Sequence, residues 1–173
     1  VLSSPADSAV ARPFTPRFQA SVRGDIIAIG NTVVTCLLPV LPNVVSCASA
    51  RAGAAVDNEQ YTHAYVDVDG VLGTIPSSQA TLELPAGASV LWAGLYWTGS
   101  ALSGTAARAS IGFAPPGQGY TTLTGEVSEG GSGTGLGPPY SAFVEVTPLV
   151  QTSGTYSVAD LATALGVNPR GGW

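Results

Sequence analysis

Residues 81–97, TLELPAGASVLWAGLYW, constrain the fold more than any other stretch of the chain. Read with period two, Leu82 and Leu84 alternate with Thr81 and Glu83, which gives one apolar face and one wetted face. Pro85-Ala86-Gly87 then interrupts the ladder, because proline donates no backbone hydrogen bond and glycine takes dihedrals that other residues avoid. From Val90 to Trp97 almost every residue is apolar. A strand apolar on both faces belongs inside a sandwich, or at the centre of a sheet covered twice. The stretch therefore predicts two strands joined by a tight turn, with Trp92, Tyr96 and Trp97 as core aromatics. Gly94, with no side chain, implies that a backbone or an aromatic ring comes close at that point.

Short strand patterns recur on both sides of it. Asp25 to Thr35 reads as two β-branched runs around Gly30-Asn31, and Tyr61 to Val68 as a strand ended by Asp69-Gly70. Further strands are expected at Ala107 to Phe113, Tyr120 to Thr124, Tyr140 to Val146 and Gly154 to Val158. In the third of these, Ala142, Val144 and Val146 share one face, and Phe143 and Glu145 the other. Residues 47–55, CASARAGAA, and the glycine-rich Gly125 to Pro139 read as loops, and Ala159 to Leu165 as a short helical turn. Strands this short, separated by turn signals and lacking helical period, predict an all-β fold, an antiparallel β-sandwich of jelly-roll or Ig-like type. The single sandwich domain spans residues 23–173.

Val1 to Val22 reads as an extended N-terminal arm. Pro5, Pro13 and Pro16 exclude a regular helix or a central strand. Two readings stay open: a disordered terminus, or an interaction arm that lays Phe14 and Phe18 onto its own domain or a neighbouring subunit.

Composition narrows the function classes. Net charge is −5 without a basic patch, so nucleic acid is not an expected partner. Charged residues make up 10%, and all six cations are arginine, a sparse surface common in secreted or wall-associated proteins. The chain contains no methionine, which a removed signal peptide or a cleaved tag would explain. No apolar run reaches the 18 residues of a membrane span, so membrane insertion is not expected. Cys36 and Cys47 are spaced for a disulfide around a Pro-containing loop, worth roughly 2–3 kcal/mol by loop closure; two buried thiols are the alternative.

Chemistry has few places to reside. Asp57, Asp67 and Asp69 could converge on a calcium ion, with Asp67 and Asp69 on one side of a strand. They fall short of the six to eight oxygens calcium takes, so a solvated strand end remains the alternative. His63 is the only histidine and reads as structural. Glu83 and Glu145 sit in alternating strands and point outward, and no nucleophile elbow is present, so no enzyme is expected. Trp92, Tyr96 and Trp97 could instead stack on sugar rings, but Tyr96 and Trp97 point to opposite faces, so at most one set can be exposed.

The pieces GDIIAIGNTVVTC, YVDVDG, SSQATLELPAGASVLWAGLYW, YSAFVEVTPLV and GTYSVADL resemble the N-terminal domain of secreted, mostly actinobacterial, surface proteins that often carry tandem Ig-like repeats. LPAGASVLWAGLYW is the most specific part. The resemblance implies an extracellular structural role and no catalytic residues. It also implies that Gly171-Gly172-Trp173 runs on into a hydrophobic strand, so the domain would lack a C-terminal strand here. The expected function is a secreted, cell-surface structural or adhesive module, a subunit of an extracellular fibre assembled by arm or strand exchange. Its expected partners are further copies or other surface proteins. The alternative is a carbohydrate-binding module, calcium-dependent if the aspartates bind.

Overall fold

A computed structural model describes residues 15–102, 104–129, 137–166 and 171–172. The chain forms β1 (Val34–Pro39), α1 (Cys47–Arg51), β2 (Tyr61–Tyr65), β3 (Ser77–Leu82), β4 (Gly94–Ser100), α2 (Thr105–Ala109), β5 (Ser110–Ala114), β6 (Thr121–Thr124), β7 (Glu126–Glu129), β8 (Pro139–Glu145), β9 (Gly154–Ala159) and β10 (Gly171–Gly172). Every strand pairing is antiparallel. Two four-stranded sheets, ordered β10-β4-β8-β7 and β3-β9-β5-β6, make an all-β sandwich. The pairs are nested, β4–β8 within β3–β9, and alternate between sheets, which is the wrapping of a jelly roll rather than of an Ig domain.

The core lies between the sheets because period two sends alternate residues inward. β4 and β8 contribute Leu95, Trp97, Tyr140 and Ala142; β3, β5 and β9 contribute Leu82, Ile111, Phe113, Tyr156 and Val158. Trp97 is fully buried, and its indole N–H donates to the Arg108 carbonyl at 2.9 Å. At Gly125 the chain passes from β6 in one sheet to β7 in the other. A Cβ there would overlap the Trp97 ring and the Phe143 backbone, so only glycine fits this corner.

Several sequence expectations are corrected. Residues 81–97 are not a hairpin: β3 pairs with β9 and β4 with β8, so the turn at Pro85–Gly87 lies within a crossover between sheets. β4 begins at Gly94, and Leu91 before it is exposed. CASAR is a one-turn helix, α1, because the Ser46 hydroxyl caps it by accepting from the Ser49 N–H at 3.2 Å. Residues 105–109 are helical, including Ala107 to Ala109, which the pattern assigns to the start of a strand, and Gly125 to Pro139 contains β7. Ala159 closes β9, and residues 160–165 form no helical turn.

β1 and β2 form a separate two-stranded ribbon with a bulge between Cys36 and Leu38. The Cys36–Cys47 disulfide, Cα–Cα 5.5 Å, ties β1 to the first residue of α1. The Tyr65 hydroxyl donates to the Thr163 carbonyl at 2.8 Å and so fastens the ribbon to the sandwich.

Candidate functional site

The outer face of β4, β8 and β7 carries a row of side chains where a solvated sheet would normally be polar. Tyr96, Phe143 and Glu126 are direct cross-strand partners, Tyr96 opposite Phe143 and Phe143 opposite Glu126, so they cross three strands on one face. The Tyr96 and Phe143 rings lie 4.7 Å apart and tilted. Trp92, just ahead of β4, extends the row by stacking on Phe143 at 6.1 Å and 17°. Gly94 makes this possible. A Cβ there would come within 2.5 Å of the Trp92 ring and 2.7 Å of the Phe143 ring.

Trp92 is fixed from below. Its neighbour Ala93 donates its N–H to the Thr147 hydroxyl at 3.0 Å, and that hydroxyl donates to Glu145 at 2.9 Å. The Ala93 carbonyl accepts from the Val146 N–H at 2.9 Å.

The N-terminal segment lies on this platform. Phe18 stacks on Trp92 at 5.8 Å and 14°. The Arg17 guanidinium sits 3.7 Å from the Phe143 ring centre and 6.0 Å from that of Tyr96, and pairs with Glu126 at 3.6 Å. The aromatic pair contributes about 0.5–1.5 kcal/mol and an exposed cation–π contact about 0.5–1 kcal/mol. With Arg17 38% and Glu126 63% exposed, solvent screening holds their ion pair to about 0–1 kcal/mol. The arm is thus seated by specific chemistry, but lightly.

The sequence-predicted sites fall as follows. Of the three expected core aromatics only Trp97 is in the core; Trp92 is half-buried and Tyr96 50% exposed on the outer face. The physical reason is that the second cover of this strand is the arm, not another sheet. Phe18 touches the domain at Trp92, while Phe14 lies outside the described residues. Arg17, Phe143 and Glu126 were missed as a set. The available signal was that Tyr96 and Phe143 both occupy the face opposite to the inward residues of their strands.

Asp57 stands before β2, and Asp67 and Asp69 after it, so the strand separates them and the three do not converge. Asp57 caps a turn by accepting from the Glu59 N–H. Asp67 accepts from the Gly70 N–H and the Ser77 hydroxyl, and Asp69 from the Val71 N–H and the Thr74 hydroxyl. Among the described residues no group of three or more His, Cys, Asp or Glu is placed to hold a metal ion. Burial pushes the Asp69 carboxyl up, but hydrogen bonds from Val71, Tyr120 and Thr74 outweigh it and hold the group below its ordinary range. Tyr120 is pushed up to about 12, by burial first and then by its hydrogen bond to Asp69 and the charge there. Burial and the Asp69 charge raise Asp160. His63 lies between the Asn58 side chain and the Gly166 carbonyl, at 2.9 and 3.1 Å, which is a structural setting.

No protein-family model, no curated protein and no solved structure matches this chain.

Proposed function

We propose that this chain is a secreted, cell-surface β-sandwich module with a structural or adhesive role, which assembles into extracellular fibres by exchange of its N-terminal arm. The seating of Arg17 and Phe18 on the aromatic outer face carries this reading: a sheet face that would otherwise be polar is built to receive a chain segment. A disulfide fits an oxidising compartment. Among the described residues no helix is long and apolar enough to cross a membrane. Deleting residues 1–22 and measuring mass in solution at about millimolar protein, where a second copy competes with the chain's own tethered arm, tests the arm. Loss of concentration-dependent association is expected, and unchanged assembly would exclude arm exchange.

Binding of a carbohydrate is the second reading, favoured by the half-exposed Tyr96 beside Trp92 and Phe143. Aromatic faces of this kind stack on sugar rings once uncovered. A glycan array probed with Arg17→Ala/Phe18→Ala decides it; binding to no glycan removes this reading.

A further inference from the structure

The platform holds a guanidinium at one point and an aromatic ring at the next, and both come from consecutive residues of one segment. We propose that this face is a receptor for an extended peptide presenting arginine followed by an aromatic residue, and that a second copy of this chain supplies that peptide. The inference rests on the arm-exchange reading above and fixes where two copies meet.

Three observations support it. The contact is selective: because Phe143 and Glu126 are direct cross-strand partners, a guanidinium centred on the ring can also reach the carboxylate, and a neutral side chain gains neither attraction. The segment is separable: among the described residues no backbone hydrogen bond joins residues 15–24 to either sheet, so it lifts away without breaking a ladder. It is also dispensable to the core, which among the described residues draws on none before Ile29. A neighbour's segment can therefore make the same contacts in the same geometry, as in a domain swap. The chain's own segment competes at an effective concentration of about millimolar for a short tether, so exchange belongs to crowded surfaces and fibres.

Complementation between two full-length variants tests this. Arg17→Ala/Phe18→Ala keeps the platform and loses the ligand; Glu126→Arg keeps the ligand and reverses the receptor charge. Each alone is expected to sediment as a monomer, and an equimolar mixture to hold one copy of each. A synthetic peptide of residues 15–22, TPRFQASV, is expected to change tryptophan emission of the first variant. Adding Glu126→Arg to that variant should weaken the peptide about tenfold or more, and salt should weaken it in the unreversed variant. Phe143→Ala serves as a second receptor variant, and a matching denaturant midpoint shows that each variant is folded. No peptide binding to folded protein, in a mixture that still associates, overturns this inference while leaving assembly through another surface. Peptide binding with a monomeric mixture overturns the second copy as occupant, and arm exchange with it.

Discussion

At the scale of single residues, two glycines decide whether the platform and the core coexist. A Cβ on Gly94 meets two rings that are partly open to solvent, whereas one on Gly125 meets the sealed Trp97 ring and a backbone carbonyl that cannot swing aside. Overpacking of this kind costs about 1–3 kcal/mol. Gly94→Ala should fall at the low end and displace Phe18 and Arg17, while Gly125→Ala should reach the high end or beyond; urea midpoints of the two variants give the ranking. The acidic turn offers a second prediction. Asp69 sits below the ordinary aspartate range, so its contribution is present above the unfolded value and fades as pH falls through the lowered one. Asp160 sits above that range, so its contribution is present below the unfolded value and is lost as pH rises through the raised one. Asp160→Asn should therefore stabilise the protein at neutral pH and lose that advantage in acid. Asparagine also tolerates the positive φ of 58° at this position. The gain should be a fraction of a kcal/mol, because the site is largely solvated. Unfolding at pH 7 and again below the aspartate range checks this: an advantage that persists in acid would show that burial and the Asp69 charge do not raise Asp160.

At the scale of elements, the ribbon of β1 and β2 is a sheet of its own. It shares no ladder with either sheet, and its disulfide closes a loop of sequence separation 11. Loop closure of that size contributes roughly 2–3 kcal/mol. Reduction should speed hydrogen exchange in β1, α1 and β2 first, and leave the amides of β4, β8 and β9 protected. Equal loss of protection throughout would show that ribbon and sandwich open together. Strand identity was largely legible, as the alternation in β8 shows: Tyr140 and Ala142 are buried, and Ser141 between them is exposed. Partnership was not. Period two reports which way a side chain points but not which sheet a strand joins, so β3 and β4 read as a hairpin although a crossover separates them. The five-residue helices α1 and α2 are too short to show a helical period. The site was half legible for the same reason: Phe143 reads as facing away from the inward residues of its strand, but Tyr96 reads as core, and nothing local in the sequence pairs Arg17 with a residue 109 positions later such as Glu126.

For the whole molecule, the core and the aromatic platform occupy opposite faces of the same strand. Leu95 and Trp97 point inward from β4, and Tyr96 between them points outward to the arm. Stability and association should therefore be separable by substitutions only five residues apart. Trp97→Ala removes the largest fully buried side chain and a hydrogen-bonded indole, and should cost about 3–5 kcal/mol. Trp92→Ala removes a half-buried ring whose partners are Phe18 and Phe143, so the loss should be nearer the 0.5–1.5 kcal/mol of an aromatic pair. Association should respond the other way around. Trp92→Ala should abolish it in folded protein, whereas any Trp97→Ala protein that remains folded should still associate. Denaturant midpoints and sedimentation on the same samples provide both readings. Parallel losses of stability and association in the two variants would mean that the outer face contributes only to holding the sandwich together.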